Sequence, residues 1–424
     1  MTHSLHSALG ITPPRRVSRS EEIAATLRLA WPIVGAQLFL FGMLFANSVI
    51  MGHLGRLELA TVGIGGTFYG LLFTFSIGVL SAVSPGISHA HGAGDHRLIA
   101  RWYRQGLAVA AILTLVTTLI VILWAEDLLR LTGQADEIIP RAREFLLVLL
   151  LGVPAQLGFG TNRMLCEATG NSRPSILFAA LGLSVNVPVT WVLAHGSPFL
   201  PPLGPVSAAL GLALANWSMF LASSLYIRRC AALRPIRFFG REPFIHRATF
   251  FEIWRLGLPL SGAIMGEMLF FASSTFFMGT MGSQALAAHQ IALNAASMTF
   301  MIPLGLSFAV SIRVGHHLGA GNPDDARSAG VTGFLLISLI QILPCALFLL
   351  APHEITRLYT ADPDLITSAS SLLIVAGFFQ LFDGQNVVAV GTLRGYKDTT
   401  VPFLMTLVSY WIIGVLTGTL AIRF

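Results

Sequence analysis

The chain has 424 residues, 54% of them apolar and only 11% charged, with a mean hydropathy of +0.74. A water-soluble domain carries about 25% charged residues, so this composition excludes a soluble globular protein and makes lipid the main solvent. The formal net charge is +6 and 25 of the 26 basic residues are Arg; they sit between long apolar runs, the placement that orients membrane spans rather than one that binds nucleic acid.

In chain order, residues 1–28 form a polar tail with Arg15, Arg16 and Arg19. No short apolar core with a small-residue cleavage site precedes the first long run, so the tail reads as cytoplasmic rather than as a signal peptide. Runs long enough to cross a bilayer, about 20 residues each, fall at 31–50, 59–83, 105–125, 144–164, 175–194 and 205–227. The polar segment 228–255 follows with seven Arg and reads as a linker between two lobes. A second series lies at 257–280, 284–310, 329–350, 366–391 and 400–421. The expected fold is therefore an all-α, polytopic integral membrane protein: an N-lobe of six spans over 29–227 and a C-lobe of five over 256–424, with a twelfth span absent. With the N-terminus inside, inside segments hold about nineteen basic residues and outside segments about six, which sets the orientation by the positive-inside rule.

The two series are copies. Shifted by 227 positions, Leu256–Gly321 lies without a gap over Leu29–Gly94: Pro259 on Pro32, Gly262 on Gly35, Met278-Gly279 on Met51-Gly52, and Gly319-Ala320-Gly321 on Gly92-Ala93-Gly94. About nineteen of roughly sixty-six pairs are identical, where composition alone gives roughly five. Six spans return the chain to the side it started from, so the halves should be parallel repeats about an axis along the membrane normal. Pro32 and Pro259, paired by the repeat, are candidate hinge positions.

An acid deep in a span is costly and marks function by default. Two stand in wholly apolar context, Glu267 in the seventh span and Asp383 in the tenth. Both belong to the C-lobe, where they can share one cavity and hold protons or a hard cation with carbonyl and amide oxygens. Gln380, Gln385 and Asn386 share the face of Asp383 or flank it, and Asn294, Asn186 and Asn216 are further polar points inside apolar runs. His89, His91 and His96 recur as His316-His317 because the repeat recurs; no acid or Cys stands at ligand spacing, so no metal site is expected. Cys166, Cys230 and Cys345 read as small hydrophobes, not as a disulfide framework. Gly315-His-His-Leu-Gly-Ala-Gly321 looks like a phosphate loop only superficially, since no Lys-Ser/Thr follows it; it should turn the chain at the membrane surface.

The stretches Trp31-Pro32-Ile33, Met51-Gly52-His-Leu-Gly55, Ala287-Ala288-His289-Gln290-Ile291, Arg313-Val-Gly315-His-His-Leu-Gly319-Ala-Gly321 and Leu393-Arg394-Gly395-Tyr396-Lys397-Asp398-Thr399 resemble the multidrug and toxic compound extrusion (MATE) family, in its NorM-like branch. The resemblance runs from Trp31 to the end of the chain. It implies two helical lobes around a central cleft and drug efflux driven by Na⁺ or H⁺ as coupling ion, with no other cofactor. It also places the family's second-lobe acids at Glu267 and Asp383. A tyrosine common one turn before the matching Asp is Phe379 here, and the first-lobe acid of many members is Asn47.

The expected protein is thus a cation-coupled antiporter of the bacterial plasma membrane, monomeric, with amphipathic or cationic xenobiotics and the bilayer as its partners and no nucleic acid. Phe and Met side chains, which adapt to varied ligands, should line the cleft. A lipid-linked precursor flippase would want a strongly cationic cavity, and the spans carry almost no Arg or Lys away from their ends. A non-transporting remnant is the alternative that the missing twelfth span suggests. An enzyme is not expected, for want of a nucleophile–base or metal-ligand set.

Overall fold

The computed structural model describes residues 17–131, 137–196, 201–236, 238, 245–414 and 417. Most of the N-terminal tail, part of the Arg-rich linker and the last part of the run expected at 400–421 lie outside the described residues. Those described are helical, with no strand among them: α1 (Arg19–Leu54), α2 (Arg56–Leu80), α3 (Val83–Gly92), α4 (His96–Leu131), α5 (Ile138–Leu149), α6 (Val153–Ala168), α7 (Arg173–His195) and α8 (Val206–Arg229) form the first series. The second is α9 (Arg247–Thr280), α10 (Ser283–Gly319), α11 (Pro323–Ile340), α12 (Ile342–Leu350), α13 (Pro352–Arg357), α14 (Pro363–Gly395) and α15 (Thr400–Thr406), the last continuing as a π-helix over Leu407–Gly414. Among the described residues nine helices, counting α2–α3 and α11–α12 each as one, are long and apolar enough to cross a membrane. The α5–α6 pair, bent by 48°, makes a tenth if it is one span, while Thr400–Gly414 is shorter than a full span.

The helices outrun the apolar runs because polar turns extend them. α1 begins at a capping box in which Ser18 and Glu21 satisfy each other's backbone N–H groups. α9 begins at Arg247, inside the segment read as linker, with the His246 side chain accepting from the Thr249 N–H. Three breaks inside spans share one cause. A proline ring collides with the carbonyl four residues before it. Pro85, Pro154 and Pro344 put that collision at Ser81, Leu150 and Ile340, where α2 gives way to α3, α5 to α6 and α11 to α12.

Apolar side chains stay outside over much of each span, as with Phe276 at 72% and Phe382 at 76% exposure. Lipid satisfies that surface, while the backbone groups are satisfied within the helices.

The two halves meet about a pseudo-twofold axis, visible as reciprocal contacts at the repeat spacing of 227. α1 packs against α10 while α2 packs against α9, so the first span of each half meets the second span of the other. A Cβ on Gly78 would strike the Ser261 backbone, and one on Gly305 the Val34 backbone. Likewise a Cβ on Gly92 would overlap the carbonyl of His316, and one on Gly319 the carbonyl of His89. Within each Gly-Ala-Gly the first glycine therefore admits the other half. The last, Gly94 at φ 68° or Gly321 at φ 78°, closes its helix in the left-handed region. Both members of each pair lie at corresponding points of their halves, as a twofold relation between the repeats requires.

Candidate functional site

Glu267 lies on α9 and Asp383 on α14. The fold brings them together: their charges lie within interaction range of one another. Asp383 is 8% exposed and its Oδ1 has no hydrogen-bond partner. Gln380, three residues earlier and so on the same helix face, is also buried, and neither its Oε1 nor its Nε2 is bonded. Gln341 approaches from the α11–α12 break, donating through Nε2 to the Gln380 carbonyl at 3.2 Å and leaving its own Oε1 free of a partner. Close packing makes this possible, since a Cβ on Gly384 would run into Gln341. Buried polar atoms are almost always paired, so the unpaired oxygens of Asp383, Gln380 and Gln341 make this face of α14 a candidate ligand shell.

Aromatic rings flank the site. Phe271, one turn beyond Glu267, sits edge-on to Phe379 at 6.2 Å between centroids, and Phe270 lies 5.0 Å from Tyr410. Tyr410 belongs to the π-helix. It stands within electrostatic range of both Glu267 and Asp383, and within interaction range of the Asn386 side chain. Its neighbour Trp411 donates from Nε1 to the Gly266 carbonyl at 3.2 Å. Wider π-turns often occur at functional positions; here the turn delivers consecutive aromatic side chains to α9 on either side of Glu267. Sequence reasoning missed Tyr410. The loss of a phenol at Phe379 was the available signal, but only the fold shows a phenol arriving from α15.

The other residues singled out from sequence are dispersed. Asn386 is at the site through Tyr410, whereas Gln385 turns away and hydrogen-bonds Ser338 on α11. Asn294 accepts from the Tyr359 hydroxyl at 3.5 Å. Asn47 lies in the other half, buried, its Oδ1 accepting from Thr190 at 3.3 Å and its Nδ2 unpaired. Asn186, also with both side-chain atoms unpaired, is one turn from Thr190 and faces Gly211. The first half thus carries an uncharged polar patch and the second a charged one. His289 meets Thr275 at 3.3 Å, and all three cysteines are free thiols. Among the described residues no three or more His, Cys, Asp or Glu gather as a metal-binding group.

The MatE family model matches residues 32–192 and again 259–420, the second start lying 227 after the first (259 − 32), which is the repeat spacing. Curated relatives include the probable multidrug resistance protein NorM of Pseudomonas aeruginosa, 38% identical over 403 residues, covering 93% of this chain and 82% of the relative. PmpM of the same species is 33% identical over 411 residues (96% of this chain, 86% of the relative). NorM of Aliivibrio fischeri is 32% identical over 398 (94% and 86%). Among solved structures the eukaryotic MATE transporter AtDTX14 superposes with a TM-score of 0.82 at 20% identity, covering 93% of this chain and 87% of that one. A MATE protein in complex with MaD3S gives 0.84 at 19%, covering 94% and 87%. The doubled match, the level of identity and the shared fold agree: the chain belongs to the MatE family and is a multi-pass membrane transporter, not an enzyme.

Proposed function

We propose that the protein exports amphipathic, cationic organic compounds in exchange for inward movement of Na⁺ or H⁺, the coupling ion binding between Glu267 and Asp383. Export of drugs is supported by the names of relatives 33% and 38% identical to this chain over the aligned residues. Coupling is supported by one observation above all. Two acids from helices more than a hundred residues apart come within range of each other's charge in span interiors, and the buried oxygens of Asp383, Gln380 and Gln341 have no partner.

Alternating access is supported by the packing: the halves meet along reciprocal helix contacts, the interface about which a rocking motion would turn. The cation and the drug need only favour different members of that equilibrium to drive each other across. With the basic-rich end cytoplasmic, the drug leaves outward. Tyr410 completes the cation site, its hydroxyl standing in for the oxygen that Phe379 lacks.

The test is ethidium efflux from proteoliposomes of checked orientation, with a Na⁺ gradient and a pH gradient imposed separately. One of the two gradients should drive efflux and so name the ion. In Tyr410→Phe the concentration of that ion giving half-maximal efflux should rise about tenfold, the loss of one hydrogen-bond-strength contact to an ion. Efflux under neither gradient, from folded protein, contradicts the proposal.

A further inference from the structure

The proposed coupling site occupies the interior of one half; a different set of residues closes one end of the molecule. At the basic-rich end the Nε2–H of His89 donates to the Gly395 carbonyl at 2.8 Å, across 306 residues of chain. The Nε2–H of His316 donates to the Ala168 carbonyl at 2.6 Å, across 148. The two bonds are one bond repeated. His316 is His89 shifted by 227, and Gly395 is Ala168 shifted by 227. Each histidine belongs to one half and each acceptor to the other.

The acceptors are carbonyls in the last turns of α6 and α14, where a helix no longer supplies its own N–H groups. A carbonyl can only accept, so both histidines must carry their proton on Nε2. We propose that His89 and His316 are a reciprocal latch that holds the basic-rich end of the cleft shut, and that both bonds must break for that end to open.

The surroundings concentrate the closure here. The Gly92–His316 and Gly319–His89 approaches bring the backbones of α3 and α10 together beside the latch. The His91 ring lies 4.8 Å from that of His316. Near His316 stand Arg313 and His317, both bonded to the buried carboxylate of Glu22 on α1, which ties the halves a second time. Near His89 stand Lys397 and Glu252, joined at 2.7 Å, with the Lys397 ammonium over the Trp102 ring. Lys397 is the one non-glycine residue with positive φ among those described, at 61°, in the turn just after the Gly395 acceptor. A non-glycine residue persists in that region only where its surroundings hold it, and here Glu252 and Trp102 do so. Rigid-body rocking exchanges one set of interface bonds for another all at once, so a symmetric pair of bonds makes opening an all-or-none event. The inference rests on the alternating-access reading above, but not on the identity of the cation or its site.

Spin labels at Ala93 and Ala320, exposed residues related by the repeat shift, report the width of this end. They are placed in a chain whose three cysteines are replaced by Ala and which is held in lipid nanodiscs, and distances are read by pulsed electron resonance. His89→Ala and His316→Ala should each raise the ratio of long to short distances about fivefold, and by the same amount as one another. The double variant should raise it about thirtyfold. His89→Gln with His316→Gln, which keep an N–H donor, should restore most of the short distance. Two distances whose ratio ignores the histidines would overturn the latch alone. A ratio shifted equally by Ala and Gln would overturn it in favour of simple packing. A single distance in every variant would overturn both the latch and the alternating-access reading beneath it.

Discussion

Glu267→Gln should bring gradient-driven efflux down to the level of protein-free vesicles, and Asp383→Asn should do the same. The two acids feel one another's charge, so removing either one leaves no site that titrates or binds a cation as a pair. Stability should move the other way. An ionisable group at the centre of a bilayer costs about 2.5–3.5 kcal/mol on insertion scales. If the acids serve transport, the neutral amides should insert and fold at least as well as the parent. A structural role makes the opposite forecast, because an acid that held helices together would leave its partners exposed. Thermal unfolding of the two variants, measured beside efflux, separates the cases: lost efflux with retained or raised stability supports coupling, and parallel loss of both argues for a structural role.

Gly92→Ala and Gly319→Ala form the second pair. In each, the new Cβ meets a backbone carbonyl of the other half, that of His316 or of His89, and a backbone cannot swing aside as a side-chain tip can. Over-packing of this kind costs about 1–3 kcal/mol. The cost falls on the closed state of the basic-rich end, so each variant should widen the Ala93–Ala320 distance and lower thermal stability. The pseudo-twofold axis requires the two effects to match. Gly63→Ala is the control: its Cβ would enter open space on α2, and the distance and the unfolding temperature should stay within error of the parent.

The division between what was legible in the sequence and what was not has a physical basis. The repeat was legible because glycines and prolines sit where backbones must approach or bend, and these recur at fixed spacing. Glu267 and Asp383 were legible because an acid among Phe, Leu and Met has no inexpensive explanation in lipid. Gln380 and Asn386, three residues either side of Asp383, fall on its face at helical spacing, while Gln385 at two residues falls on the other.

Span breaks were harder to read. Prolines are common in these helices, and the same collision with the fourth carbonyl back ends a helix before Pro154 yet is absorbed within one at Pro32, so local sequence does not tell a break from a bend. Tyr410 could not be read at all, since a π-turn shifts the helix face on which its residues stand. The histidine pair was visible as a recurrence, yet its meaning lies in partners 306 and 148 residues away that no local pattern names.

Exchange of drug for cation is best tested by reversing the driver. Proteoliposomes of checked orientation are loaded with ethidium on one side only, with no cation gradient imposed, and internal pH and Na⁺ are followed with trapped indicator dyes. Ethidium flowing downhill should drive one of these cations uphill in the opposite direction, and Glu267→Gln should remove the cation movement. Downhill ethidium flux with no movement of either cation would contradict exchange.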